Sequence, residues 1–419
     1  MSNTTLTADI IAMEAVKILE NNLVMGNLVH RGYEEEFSKK INGYTVGETI
    51  SIRRPTDFTV RDGRVASIQD VVEGKTTFTV DKQKGIDFKF TSADLTLQIK
   101  ELSERVMKPA MVQLANQVDV DLMALYKDVY NHVTLPSGGV DSFADFALAP
   151  TLMDKIAVPQ TDRNAVLSPG DYWAMMGSQT GLYMQGVAKE AYREANIGKI
   201  AGVDTFMSQN IPSHTTGART GTDLVDIVGQ TYVLGHTWSS SKDADYVTFH
   251  IDGAASDTAG YWKRGDTFTI SDVYDVNPVS KAPLSHLKTF VVTEDATSAS
   301  SEGDVKIWPP VVLSGAFQNA YLSTGTLEDN TVTYQGVAST AYTQNLFFHK
   351  NAFGLVMVPM VKPAGAVEVA RRTYKGCSVR VIPYYDGTND EANYRLDILY
   401  GVKTIDPRLA VRASLAANI

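Results

Sequence analysis

A chain of 419 residues with 44% apolar content, a net charge of −10 and one cysteine reads as a globular protein of two or three domains, since about 100–200 residues make one domain. The lone Cys377 excludes an internal disulfide and a multi-thiolate metal site, and the acidic balance argues against a protein that grips phosphates, because no basic run is longer than a pair such as Arg53-Arg54 or Arg371-Arg372. No apolar run reaches the ~18–20 residues that cross a bilayer, and MSNTTLTADI lacks the features of a signal peptide, so a soluble chain made in the cytoplasm is expected.

Residues 8 to 40 read as helical, with Ile11, Ala15, Ile18 and Leu19 near one face and Asp9, Glu14, Lys17 and Glu20 on others. This predicts an amphipathic arm with little to pack on locally; packing on its own core is the equal alternative. From Gly43 to Thr91 the pattern changes to short β-type runs, TISIRR, DFTV, KTTFTV and IDFKF, separated by Arg61-Asp62-Gly63-Arg64 and Lys82-Gln83-Lys84-Gly85. Together they predict a long β-hairpin region with a charged tip.

Pro109 suits a helix start, because its missing N–H would be unpaired in the first turn anyway. Leu114, Val118, Leu122, Leu125 and Val129 follow at helical spacing, with an end expected near His132. Ser168 is placed to cap a short helix over 171–176, and Ala188 to Asn196 is a further helical candidate. From about Ser213 to about Tyr342 the composition shifts to Thr, Ser, Gly, Asp and Val, with short strands TYVLGH, YVTFHI, DTFTIS, KTFVVTE, DVKIWPPVVLS and NTVTYQG. Strands at this spacing predict a small antiparallel barrel or sandwich. Further strands follow at Leu346–His349, Phe353–Val358, Cys377–Ile382 and Tyr394–Tyr400, with a helix expected over PAGAVEVARR, 363–372. The whole predicts an α+β chain with an all-β module inserted in it.

Catalytic and metal signatures fare poorly. The seven histidines, at 30, 132, 214, 236, 250, 286 and 349, contain no His-x-x-x-His pair. Gly181 to Gly186 has the spacing of a phosphate loop, but Val187 and Ala188 stand where a lysine and a hydroxyl would be needed. Ser239 and Lys242 match Ser-x-x-Lys, yet in a Ser-rich turn, so a hydrolase using them is a remote alternative. Cys377 at a strand start reads as a buried small residue, Glu34-Glu35-Glu36 as a solvated face, and Trp262 and Trp308 as core or interface anchors. No cofactor is expected.

Several phrases add specificity. Glu194 to Pro212 (EANIGKIAGVDTFMSQNIP), Asn345 to Phe353 (NLFFHKNAF) and Arg395 to Arg412 (RLDILYGVKTIDPRLAVR) resemble stretches of short-tailed-phage coat proteins with an inserted domain, and the element order resembles the HK97-like capsid fold. The resemblance implies an N-terminal arm over 1–42, an extended loop over 43–91, a spine helix and peripheral domain over 92–160, and an axial domain over 161–212. It further implies an inserted β-barrel over 213–342, then a return to the axial and peripheral domains over 343–419. A major capsid protein of this kind assembles with itself into hexamers and pentamers around double-stranded DNA, with a scaffolding protein, a portal protein and in some cases a decoration protein as partners, and no membrane.

On that map Arg53, Arg54, Asp57, Arg61, Asp62 and Arg64 are candidates for contact with a neighbouring subunit, a solvated hairpin tip being the plain alternative. Asp9, Glu14 and Glu20 are candidates for contact with the scaffold. The isopeptide cross-link of some capsids of this fold finds no matching lysine and acid here. A nanocompartment shell of the same fold is the nearest alternative.

Overall fold

The computed structural model describes residues 8–33, 37, 40–41, 44–45, 49–54, 56–66, 68–71, 73–91, 106–136, 138–180, 198–226, 243–323, 327–363 and 369–414. The chain divides into two units. One comprises Met1–Ser51, Thr77–Met123 and Phe353–Lys403; the other comprises Ile52–Thr76, Ala124–Ala352 and Thr404–Ile419.

The first unit holds α1 (Ala8–Asn22), α2 (Met25–Leu28) and α3 (Lys108–Met123). On α1, Ile11, Ala12, Ala15, Val16 and Leu19 recur at helical spacing and are all buried, packed against α3 and the strands Ala370–Tyr374 and Cys377–Asp386. Of the two readings offered for this helix, packing on its own core is the one seen: the core is supplied by strands more than 340 positions later. One helix does not, however, run to residue 40. It stops at Asn22, and α2 restarts where Asp119 of α3 accepts from the N–H groups of Val24 (2.7 Å) and Gly26 (3.0 Å), supplying the cap that α2 lacks locally.

The sheet of this unit runs Phe353–Met357, Glu391–Thr404, Cys377–Asp386, Ala370–Tyr374, with Lys82–Thr91 also paired to Glu391–Thr404. Two expectations change here. Lys82 to Gly85 is not a turn; it begins a strand paired from Lys82↔Tyr400 to Thr91↔Glu391. Gly85 is needed there for close approach, because a Cβ would lie 2.6 Å from Asp397 Oδ1 and 2.8 Å from the Leu396 carbonyl. Within 363–372, Ala370, Arg371 and Arg372 are strand residues paired with Val381, Arg380 and Val379; the helical pattern yields to an available sheet edge. Residues 364–368 of that segment lie outside the described residues.

Leu114, Val118 and Leu122 are buried on α3 as predicted, but the helix does not reach His132. It tightens to a 3-10 turn at Ala124–Asp128, where the chain passes into the second unit, and His132–Thr134 is a strand.

The second unit contains a six-stranded sheet in the order His132–Thr134, Ala410–Ser414, Asn345–His349, Arg163–Leu167, Val203–Met207, Lys199–Ile200. It is covered by α4 (Phe143–Lys155) and α5 (Pro169–Thr180), whose Phe146, Ala149, Met153, Tyr172, Met175 and Met176 join Ala165, Leu167, Phe347 and Val411 in one core. Ser168 caps α5 as expected, accepting from the Asp171 N–H at 3.2 Å and donating its hydroxyl to the Asp171 carboxylate at 2.7 Å. α4 went unread in the sequence although Ser142 and Asp145 form the same pair; Pro150 inside the helix hides it.

A second sheet of this unit is antiparallel, in the order Leu224–Val225, Val247–Asp252, Gly303–Trp308, Pro283–Val292, Thr267–Val276, Ala320–Leu322, with Val332–Tyr334 also on Thr267–Val276. Val332 N–H donates to the Asp223 carbonyl (2.9 Å) and Val225 N–H to the Asn330 carbonyl (3.0 Å), joining the last strand to the first. Inside lie Trp262, Tyr261, Phe249, Phe268, Phe290 and Val305, so Trp262 is a core residue. The predicted strands at 246–251, 266–271, 288–294, 304–314 and 330–336 all overlap strands of this sheet. TYVLGH, 231–236, lies outside the described residues. The ends of the segment are paired with each other, Ser213↔Thr343 and Thr215↔Ala341.

Candidate functional site

The strands Thr49–Arg53 and Lys75–Thr79 pair with each other, and between them residues 54–74 form a long connection in which DFTV makes no strand. A connection of this length whose described residues form no helix or strand is usually functional. Its root is tied down. Arg54 N–H donates to the Gly74 carbonyl at 2.7 Å, and Arg53 pairs with Glu73 at 3.0 Å in solvent. The Arg54 guanidinium reaches Asp245 at 2.9 Å and the Ala244 carbonyl at 3.2 Å, and lies 5.2 Å from the centre of the Trp308 ring. Burial lowers its pKa, and Asp245 works against that shift. Asp57 sits 3.5 Å from Arg408 and 3.9 Å from Lys281.

Further out the loop is cross-linked by its own polar groups. Thr59 N–H donates to Gln69 Oε1 (2.9 Å), and Gln69 Nε2 returns a bond to the Thr59 carbonyl (2.6 Å). Arg61 folds over the tip, donating to the carbonyls of Gly63 (2.6 Å) and Val65 (2.8 Å); Gly63 has φ +86°, a conformation suited to glycine. Asp62 and Arg64 face solvent.

The apolar side chains were missed in the sequence. Val60 is 98% exposed, Ile68 95%, Val65 83%, Val71 64% and Phe58 57%. Five large apolar groups on one loop, held in shape by polar cross-links, form a surface of the kind that marks an interaction site. The signal is present in FTV and VASIQDVV, where flanking charges obscure it.

The six candidate contact residues therefore separate. Arg54 and Asp57 are engaged at the loop root within their own unit, Arg53 pairs across the base, Arg61 shapes the tip, and Asp62 and Arg64 stand outward. Behind the root is a cavity of about 90 Å³ lined by Arg54, Asp57, Tyr130, Lys288, Trp308 and Arg408, among others. Asp275, also on its wall, is buried, which by itself would push its carboxyl up, but Lys288 at 2.8 Å prevails and holds it down at about 2.

Of the three acids proposed for a scaffold, Glu20 is buried and pairs with Lys375 at 2.9 Å. Glu14 is half-buried. The Asp9 side chain, Glu34 to Glu36, the glycine loop at 181–186, the helical candidate at 188–196, and Ser239 and Lys242 lie outside the described residues. Cys377 is fully buried, with Arg31 Nη2 3.1 Å from its sulfur. Among the described residues no cluster of three His, Cys, Asp or Glu side chains is arranged to hold a metal ion, and no helix is long and apolar enough to cross a membrane.

A two-unit α+β chain that presents an apolar loop outside its own core has the form of an assembly subunit. The family of P22 coat protein - gene protein 5 matches residues 1–412, and the chain belongs to that family. It is 23% identical over 390 residues to a major capsid protein of Acyrthosiphon pisum secondary endosymbiont phage 1, covering 89% of this chain and 90% of that one. Among solved structures it is similar to one of Mycobacterium phage Che8 (TM-score 0.48, 16% identity, 93% of this chain and 90% of that one). Another is the asymmetric unit of the bacteriophage PhiM1 mature capsid (TM-score 0.43, 12% identity, 89% and 83%).

Proposed function

We propose that this chain, a structural capsid shell protein by its family, is the major capsid protein that closes into hexamers and pentamers of an icosahedral procapsid around double-stranded DNA. The observation that carries the reading is that the apolar side chains of the loop over 54–74 find no cover in their own unit; in the proposed shell an adjacent copy covers them. The Arg54 and Asp57 anchors support this, since a loop fixed at its root loses less freedom on docking.

The finer architecture follows the HK97-like plan. Residues 43–91 are the extended loop region, 92–160 hold the spine helix α3 and the peripheral domain, 161–212 with α5 begin the axial domain, and 343–419 return to both. Residues 213–342 are an inserted β-barrel, a reading supported by the hydrogen bonds between its first and last strands and by its paired ends. An acidic chain suits a wall that encloses DNA without gripping it. A scaffolding protein and a portal are its assembly partners, the virion its destination, and the host cytoplasm its place of assembly.

Electron microscopy and sedimentation of the full chain, alone and with its scaffolding protein, test the reading. Closed shells or capsomers are expected. A chain that stays monomeric with its scaffold at high concentration, and is missing from purified virions, overturns it.

A further inference from the structure

Three Asp-Gly pairs stand among the described residues: Asp62-Gly63, Asp252-Gly253 and Asp386-Gly387. Such a pair can close a ring, in which the glycine amide nitrogen attacks the aspartate Cγ; glycine favours this because it has no side chain to hinder the approach. The reaction needs an aspartate whose carboxylate is not pinned by hydrogen bonds, and a backbone free to turn the next amide towards it. On these two counts the three pairs differ.

Asp386 is held by its side chain. Its Oδ1 accepts from the Thr388 N–H at 2.9 Å and its Oδ2 from Asn389 Nδ2 at 2.8 Å, while its backbone pairs with Glu391. Asp252 is held by its backbone, as a strand residue paired with Leu224. Gly253 is packed so closely that a Cβ there would lie 2.1 Å from the Thr222 carbonyl oxygen, and the Ala254 N–H donates to the Ser301 carbonyl at 3.1 Å.

At the loop tip neither restraint is present. Residues 61–66 are all exposed, and Asp62 and Gly63 belong to no helix or strand. Among the described residues no hydrogen bond or ion pair engages the Asp62 carboxylate or the Gly63 N–H, and a Cβ on Gly63 would meet nothing within 4 Å. The bonds that shape the tip, from Arg61 to the carbonyls of Gly63 and Val65, use neither reacting group. A backbone without ladder bonds samples the geometry of attack by local motion alone.

We propose that Asp62 is a site of spontaneous covalent modification, isomerising to isoaspartate in the native, unassembled chain. The Gly63 nitrogen bonds to the Asp62 Cγ, its proton and the carboxyl hydroxyl leave as water, and a five-membered succinimide results. Water then opens the ring. Cleavage at the former main-chain carbonyl leaves Gly63 linked through Cγ and frees that carbonyl as a carboxylate, so the net composition is unchanged. The main chain gains one methylene beside the Gly63 carbonyl that Arg61 holds at 2.6 Å, and this is the bond the product disturbs.

The test is to age the full chain, native and unassembled, beside the same chain unfolded in guanidinium chloride. Isoaspartate is mapped by electron-transfer fragmentation and by Asp-N digestion, which cuts before aspartate but not before isoaspartate. In the native chain it is expected to accumulate at 62 severalfold faster than at 252 or 386, and the three rates should converge on unfolding. Asp62→Glu, whose ring would need six members, should abolish the product at that position. Comparable native rates at the three sites, or a native chain without isoaspartate at 62, overturn the proposal.

Discussion

The Asp119 carboxylate on α3 accepts two backbone bonds, from Val24 at 2.7 Å and Gly26 at 3.0 Å, and so fixes the N-terminal helices to a helix 95 residues further on. Its pKa is raised to about 6, because burial outweighs those hydrogen bonds. The folded value is above the unfolded one, near 3.8, so the neutral acid is favoured by folding. This contribution is fully present below about pH 4 and is lost as pH rises through about 6. Asp119→Ala should lower stability by about 2–3 kcal/mol at neutral pH by orphaning buried N–H groups, and should remove the wild-type dependence between pH 4 and 6. Urea unfolding of both proteins across that range checks it; parallel pH profiles would sink the assignment.

Loss of apolar surface at the loop should separate folding from assembly. Val60→Asp with Ile68→Asp alters two almost fully exposed side chains and is expected to change stability by no more than about 0.5 kcal/mol. Shell yield should nevertheless collapse. Thermal melting and sedimentation of the same preparation read the two effects, and wild-type yields would refute the loop's role.

The root pairs should set how rigidly that loop is held. Arg54→Ala removes the bonds to Asp245 and the Ala244 carbonyl as well as the Trp308 contact. Amide exchange over 56–71 should accelerate severalfold with the rest of the unit unaltered. Hydrogen exchange read by mass spectrometry checks this, and unchanged loop rates would mean that the Gly74 and Glu73 contacts suffice.

Inside the second sheet, Trp262 is fully buried against Tyr261 and donates its indole N–H to the Tyr334 hydroxyl at 2.6 Å. Trp262→Ala should cost about 3–5 kcal/mol. Gly303→Ala should also destabilise, since a Cβ there would lie 2.4 Å from the Trp262 ring. Chemical denaturation measures both, and a Gly303→Ala protein of wild-type stability would show that the ring can move aside.

His250 faces Asp304 at 2.8 Å, Glu302 at 3.6 Å and Asp226 at 3.7 Å. Partial burial pulls its pKa down, but these carboxylates prevail and the net shift is upward. The contribution is complete below the unfolded value of about 6.5 and is lost as pH rises through the higher folded value. His250→Gln should flatten the stability profile between pH 6 and 8, and an NMR titration of the imidazole should show a midpoint above that of a free histidine.

Sequence by itself determined what neighbouring residues decide among themselves. Ser168 and Asp171 cap α5 within one turn, and the alternation in YVTFHI marks a strand because successive side chains point to opposite faces. The exposed role of Val60 and Ile68 was less legible, since an apolar residue announces burial without saying in which molecule. Only the tertiary structure decided matters that rest on distant partners. Gly85 is a strand residue because Asp397 lies against it, Glu20 is spent on Lys375, and α1 is buried because the strand at Ala370–Tyr374 meets it. Likewise Ser213 and Thr343 pair across 130 positions. Periodicity is a local property of the chain, whereas the choice of which face is covered, and which charge is paired, is made by segments that only folding brings together.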